Sequence, residues 1–211
     1  MYSAVITAAG SGTRAGLGYN KMLYKMDGVT LIEKSVAIFA NNSLFNDIIV
    51  TVSKNDLDTY KQLLVNYNVK FIIGGQERMN SVANGVSQAL NSTVFVHDGA
   101  RIFLDDELIN RLVQFPEEYD GLALATQAID TTLLVKGNRI EKVLDRSSLF
   151  NMQTPQVVNK QVYDKCYEQA ISEQLLFTDE VSMLTHYNYD CKIVVSESYN
   201  KKMTTPQDFE V

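Results

Sequence analysis

Ala8, Ala9, Gly10, Ser11, Gly12, Thr13 and Arg14 follow the apolar run Ala4-Val5-Ile6, and Lys21 comes seven residues after Arg14. Glycines at 10, 12, 16 and 18 let the backbone approach a ligand and turn successive amide N–H groups towards it. Arg14 and Lys21 add the positive charge that adjacent phosphate oxygens demand. The pattern predicts a polyphosphate loop, a triphosphate suiting its length and two cations better than a pyrophosphate. Asp98 closes a second apolar run, Val94-Phe95-Val96-His97, at the strand end where open α/β sheets place their ligands. A single carboxylate beside a triphosphate suffices for Mg²⁺, which takes its other ligands from phosphate and water. Gly74, Gly75 and Gln76 form a glycine turn before Ser81 and offer polar groups to a base or ribose. Lys201 and Lys202 stand in a loop near the C-terminus.

Each feature has a plainer meaning. The glycine loop reads equally as solvated chain, Asp98 as the cap of a turn or the partner of Arg101, Ser81 as a helix cap, and the two lysines as a solvated charge pair. His97 reads as a hydrogen-bonded core group, and His186 carries less still. Gly10-Ser11-Gly12-Thr13-Arg14-Ala15 also fits the dinucleotide fingerprint G-x-G-x-x-A. That fingerprint needs a helix opening at its second glycine, whereas no apolar period of helical spacing starts before Thr30. The second strand also ends on Val52-Ser53, without an acid for a ribose.

The elements that must hold these residues alternate along the chain. Tyr2 to Thr7 reads as a buried strand, and the capping box Thr30-Leu31-Ile32-Glu33 opens a helix. Ile48 to Val52 is a β-branched strand, Ser53 caps a helix through Val65, and Val69 to Ile73 is a third strand. A helix over about 80–90, the strand Thr93 to His97 and a helix from Asp106 to Phe115 stopped by Pro116 follow. Leu122 to Ala125 extends the sheet. Thr132 to Val135 and Ile140 to Val143, joined by Lys136-Gly137-Asn138, read as a β-hairpin, which is marginally stable alone and is expected to pack on another subunit or the main body. Helices near 160–172 and 179–187 and a strand from Cys191 to Val195 complete the pattern. The expected fold is α/β, Rossmann-like, with a mostly parallel central sheet, helices on both faces and a protruding β-hairpin arm. One domain is expected over 1–211, with the arm at about 131–150.

Composition sets the setting. The chain has 211 residues, 45% of them hydrophobic and 21% charged, enough for one substantial core. A formal charge of −6 with no basic run argues against a grip on long nucleic acid. Cys166 and Cys191 are the two cysteines and lack Cys-x-x-Cys spacing, so free thiols are expected. No apolar stretch reaches the roughly 18 residues of a membrane span, and the start shows no signal-peptide pattern. A reducing cytoplasm is the expected location.

Five blocks, in order, resemble the 2-C-methyl-D-erythritol 4-phosphate cytidylyltransferase family. They are Ala8 to Arg14 with Lys21; Gly74 to Arg78 with Ser81; Val96 to Arg101; Asp145-Arg146 with Gln153-Thr154-Pro155-Gln156; and Lys202 to Pro206. The resemblance implies that Arg14, Lys21 and Lys202 neutralise the phosphates of CTP and the transition state. Ala8, Ala9, Gly10, Ser11, Gly12, Thr13, Gly75, Gln76 and Ser81 would bind CTP. Asp98 would carry Mg²⁺ and face the sugar phosphate, while Arg101, Thr131, Arg146 and Thr154 would bind methylerythritol phosphate. It also implies a homodimer in which Thr131 and Arg146 act across the interface. Asn20 and Ile102 stand where the family often has proline, which implies altered loop stiffness without lost charge. The chain also ends soon after Asp208, leaving little room for a closing helix. The sister family, ribitol-5-phosphate cytidylyltransferase, tends to Ala-Gly-Gly and Ala-Val-Arg where this chain has Ala8-Ala9-Gly10 and Gly99-Ala100-Arg101. The methylerythritol enzyme is the better match.

Overall fold

The structure, a computed structural model, describes residues 1–10, 12–114, 118–196 and 200–209, with Thr13 described by its backbone only. In chain order the elements are β1 (Tyr2–Ala8), a small hairpin of β2 (Lys25–Met26) and β3 (Val29–Thr30), α1 (Leu31–Ala40), β4 (Phe45–Val52), α2 (Leu57–Leu63), β5 (Lys70–Ile73), α3 (Arg78–Ser87), β6 (Thr93–Asp98) and α4 (Asp106–Leu112). They continue with β7 (Gly121–Gln127), β8 (Leu133–Lys136), β9 (Arg139–Val143), β10 (Phe150–Asn159), α5 (Lys160–Ser172), α6 (Glu180–His186) and β11 (Cys191–Val195).

Seven strands form one sheet in the order β11-β7-β10-β6-β1-β4-β5. β1 pairs in parallel with both β4 and β6, β4 with β5, and β7 with β11, while β10 runs antiparallel between β6 and β7. Both faces are covered, as the apolar strands require. On β1, Ala4 and Ile6 pack with Val36 and Phe39 of α1 and Ile109 of α4, whereas Val5 packs with Val82 and Val86 of α3 and Tyr163 of α5. Successive residues of one strand thus serve opposite layers, the period-two signature of a doubly covered sheet.

β10 is the element the alternation pattern does not disclose. It departs from regular pairing with β7 between Met152 and Gln156, a stretch holding Pro155, which has no N–H to give to a ladder. The other expected elements are present with shifted ends. The helix expected from Ser53 starts only at Leu57, because the Ser53 hydroxyl donates to Asp56 Oδ2 at 2.7 Å and accepts from Asp56 N at 3.2 Å, closing a turn first. α3 begins earlier than expected, at Arg78, and stops at Ser87. α4 ends at Leu112; Phe115 and Pro116 lie outside the described residues. The Thr30–Glu33 capping box forms as read, with Glu33 N donating to Thr30 Oγ1 and Thr30 N to Glu33 Oε2.

β8 and β9 pair only with each other, and every residue of both strands is exposed. Leu133, Leu134, Val135, Ile140 and Val143 lie on this arm with 41 to 64% of their surface accessible.

Candidate active site

β1 has β4 on one side and β6 on the other, so the chain reverses its direction of travel across the sheet beside β1. Such a switch point opens a crevice at the carboxyl ends of the strands. Thr7 of β1 and Asp98 of β6 are register partners there. A cavity of about 290 Å³ occupies the crevice, walled by Ala8, Ala9, Gly10 and Gly12, by Gly75, Gln76 and Ser81, and by Arg14, Lys21, Asp98 and Lys202. Charged groups from both ends of the polypeptide meet in one place. Ser11 lies outside the described residues.

The loop after β1 folds without an α-helix at its second glycine; the short 3-10 turns Thr13–Ala15 and Lys21–Leu23 form, and the first α-helix opens at Leu31. This removes the dinucleotide reading. Gly12 has φ +68°, and a Cβ there would meet Lys21 N at 2.9 Å, so only glycine lets the loop close against Lys21. The second glycine turn is equally tight, since a Cβ on Gly75 would lie 2.3 Å from the Asn80 Cβ. Ser81 sits inside α3, not at its cap, and accepts from Gly75 N at 3.0 Å while donating to Glu77 O at 3.1 Å. Its hydroxyl fixes the turn that Gly75 and Gln76 belong to.

Asp98 is the hub. Lys202 Nζ lies 2.8 Å from Oδ2, Arg78 Nε 3.4 Å from Oδ1, and Arg101 Nε 3.6 Å from Oδ2. Burial would push this carboxyl up, but the positive charges of Lys202, Arg78 and Arg101 prevail and hold it well below the usual carboxylate range. Lys21 donates to Met203 O at 2.6 Å and is pushed down to about 8 by burial and by the neighbouring charges of Lys202 and Arg14, against the pull of Asp98 and Asp208. Burial also lowers Arg101, against the pull of Asp98.

Arg78 had no role assigned from sequence beyond its place in a motif, yet it lines the cavity and makes the best-held ion pair there. Its Nη1 donates to Glu180 Oε1 at 2.6 Å and to Thr178 O at 3.2 Å, and its Nη2 donates to Glu180 Oε2 at 3.3 Å. Glu180 is 2% exposed; burial raises its carboxyl, with Arg78 opposing. The sequence signal for Arg78 was its place in the Gly74 to Arg78 block, since the helix expected over about 80–90 left it outside. A buried glutamate about a hundred residues away left none.

Behind Asp98 lies a neutral relay. His97 is fully buried and pushed down to about 4, chiefly by burial. Its Nε2 faces Arg101 O at 2.8 Å and therefore carries the proton, so Nδ1 accepts from the Thr154 hydroxyl at 3.2 Å. Thr154 Oγ1 in turn accepts from Asp98 N at 3.0 Å. His97 is thus the core group expected from sequence. Thr154 is 4% exposed and lines neither cavity, so its hydroxyl supports the strand carrying Asp98.

A second hollow, of about 930 Å³, adjoins the first and is lined by Arg101, Thr126, Asn151, Gln153, Asn200 and Lys201, with Lys202 common to both. Arg101 donates through Nη1 to Asn200 O at 2.7 Å, and Asn200 Nδ2 donates to Thr154 O at 2.8 Å. Among the described residues two buried polar atoms on this wall, Arg101 Nε and Asn200 Oδ1, have no hydrogen-bond partner, although Arg101 Nε keeps its longer ionic contact with Asp98. Thr131 and Arg146 are not brought to either wall. Both are exposed at the root of the arm, where Arg146 Nη1 donates to Ile129 O at 2.7 Å.

A switch-point cavity rich in cations, with one acidic hub, meets the model of IspD, 2-C-methyl-D-erythritol 4-phosphate cytidylyltransferase, over residues 2–211. The chain belongs to that family. The 2-C-methyl-D-erythritol 4-phosphate cytidylyltransferase of Geobacillus thermodenitrificans is 33% identical over 98% of this chain and 93% of its own length. That of Aquifex aeolicus is 32% identical over 100% of this chain and 95% of its own. Among solved structures, the 4-diphosphocytidyl-2C-methyl-D-erythritol synthase of Anaerococcus prevotii superposes with a TM-score of 0.88 at 26% identity, covering 99% of this chain and 94% of that one. The protein is accordingly a nucleotidyltransferase of the methylerythritol branch, and the ribitol alternative is not favoured.

Proposed function

We propose that the smaller cavity holds CTP, the larger one holds 2-C-methyl-D-erythritol 4-phosphate, and the reaction takes place where they meet. The observation that carries this reading is Lys202, which lines both cavities while pairing with Asp98. An oxygen of the acceptor phosphate attacks the α-phosphorus of CTP, the bond to the β-phosphate breaks, and pyrophosphate leaves with that electron pair. Both reactants are anions, so the protein's work is to hold them together and to neutralise charge that builds on the α-phosphoryl oxygens. Arg14 and Lys21 serve the triphosphate, Lys202 the reacting centre, and Arg101, which lines the larger cavity, the acceptor phosphate. A phosphate monoester is already ionised near neutral pH, so the nucleophile needs no general base. Gly75, Gln76 and Ser81 form the wall for the cytosine and ribose.

Among the described residues no group of three or more histidine, cysteine or acidic side chains is arranged to hold a metal. The donor set instead fits a divalent ion that arrives with its nucleotide. Among the described residues Asp98 Oδ1 has only the long contacts with Arg78 Nε at 3.4 Å and Thr7 Oγ1 at 3.5 Å, so it is the oxygen that would take one coordination position. Mg²⁺ would supply further neutralisation of the triphosphate. The exposed apolar arm supports a homodimer in which the partner's arm brings its threonine and arginine to the acceptor hollow. No helix among the described residues is long and apolar enough to cross a membrane, and the expected cytoplasmic location is part of this proposal.

The test is pyrophosphate release from CTP with methylerythritol phosphate or ribitol phosphate as acceptor. Turnover with the first and not the second is expected; preference for ribitol phosphate would overturn the assignment.

A further inference from the structure

The loop carrying Arg14 leaves the sheet at Ala8 and reaches Lys21 through Asn20, and its two ends meet on one side chain outside the cavity. Tyr60 of α2 is fully buried. Its hydroxyl donates to Ala8 O at 3.4 Å and accepts from Asn20 Nδ2 at 3.2 Å. The second Asn20 Nδ2 proton goes to Asp56 Oδ2 at 2.8 Å, an oxygen also held by the Ser53 hydroxyl at 2.7 Å. Asn20 Oδ1 accepts from Met22 N at 3.0 Å, capping the 3-10 turn Lys21–Leu23. The amide orientation is fixed by chemistry, because the reverse would set Oδ1 against the Asp56 carboxylate.

Asn20, Asp56 and Tyr60 do not line the cavity. They bear on a ligand only through what they hold, which is the start of the glycine loop and the residue before Lys21. Between those ends Gly12, Gly16 and Gly18 sit at positive φ of 68°, 69° and 73°. A glycine-rich segment has many conformers to lose on binding a triphosphate, and joining its ends in the free protein removes part of that cost in advance. We infer that Asn20, Asp56 and Tyr60 form a clasp that closes the phosphate loop and makes Asn20 and Tyr60 positioning residues for Lys21. The inference rests on the assignment of the smaller cavity to CTP.

The variants are Asn20→Asp, which keeps the cap on Met22 but replaces the amide donor with a carboxylate facing Asp56; Tyr60→Phe; their combination; and the exchange Asn20→Asp with Asp56→Asn, which restores a donor and an acceptor. In the full-length chain, kcat/KM for CTP is expected to fall about 10- to 100-fold for each single change, the scale of a small misplacement of a reacting group. KM for the acceptor phosphate should stay unchanged, the combination should be no worse than its poorer member, and the exchange should recover part of the loss. Hydrogen exchange of amides from Gly12 to Lys21 in the ligand-free protein should quicken in the single variants. Additive losses, a raised KM for the acceptor phosphate, an exchange variant no better than Asn20→Asp, or unaltered amide exchange would each overturn the clasp. Should Tyr60→Phe fail to fold, the two Asn20 variants decide the matter alone. Amide exchange needs no turnover, so it also separates a failed clasp from a failed CTP assignment, which would show as a wild-type protein releasing no pyrophosphate.

Discussion

Lys21 offers the sharpest test of the electrostatic account, because its charge is held only narrowly. Burial, with Lys202 and Arg14 nearby, brings its ammonium down to about 8. In the free protein it is therefore about nine-tenths charged at pH 7, half charged at pH 8 and about one-tenth charged at pH 9. If the charged form binds the triphosphate, kcat/KM for CTP falls above pH 8 and approaches a tenfold loss per pH unit. The phosphates of both substrates titrate near pH 6 and contribute nothing to that limb. Binding restores the ammonium, since the triphosphate is a strong opposite charge, so CTP association at pH 8.5 should take up protons, which calorimetry in buffers of different ionisation enthalpy measures directly. Lys21→Arg carries a guanidinium that stays charged, so its alkaline limb should leave pH 8 whatever its height. Lys21→Ala should lose about 2.7 to 4 kcal/mol of transition-state stabilisation, a 10²- to 10³-fold drop in kcat/KM, and show no limb near pH 8. Pyrophosphate release between pH 6.5 and 9.5 reads all three proteins. A limb that persists near pH 8 in Lys21→Arg, or a Lys21→Ala protein close to wild type, would refute the assignment.

Three further outcomes are expected. Asp98→Asn should abolish Mg²⁺-dependent turnover, and a metal titration identical to wild type would show that Asp98 does not carry the ion. Arg146→Ala and Asp98→Asn subunits, each inactive alone, should regain activity in a verified heterodimer that contains one intact composite site; silence there would place each site within one chain. Thr154→Val leaves Asp98 N and His97 Nδ1 without their shared partner, so chemical denaturation should show a loss of about 1 to 3 kcal/mol for each orphaned group, and an unchanged midpoint would contradict the relay.

Much of the fold was legible because apolar runs and helix caps are local signals. The Thr30–Glu33 box, the close of the β6 strand at Asp98, and the arm with its Gly137 turn all follow from neighbouring residues. β10 was not, since an antiparallel strand inserted between β6 and β7 depends on pairing that no local period encodes. The same division runs through the site. Arg14, Lys21 and Asp98 stood out by chemical type and Lys202 through the family resemblance, and all four line one cavity. Thr154 was marked by motif, and no local pattern showed that it would be buried behind Asp98, bonded to Asp98 N and to His97 Nδ1. Glu180 reads in sequence as an ordinary first-turn acid of a helix, and only the tertiary pairing with Arg78 gives it meaning.

That pairing explains how a chain of net charge −6 keeps a cationic pocket in the absence of a ligand. Arg14, Lys21, Arg78 and Lys202 crowd one small cavity, and like charges at such spacing repel unless an anion lies among them. Asp98 is that anion, and Glu180 relieves Arg78 from the far side. The arrangement is a set of cations partly offset by one shared carboxylate, not a bare basic patch. If the smaller cavity holds CTP as proposed, an arriving triphosphate would find these cations already in place and would take over from Asp98 as the partner of Lys202, leaving the carboxylate to hold a divalent ion. Lys202, which lines both cavities, would then stand where the two phosphates meet.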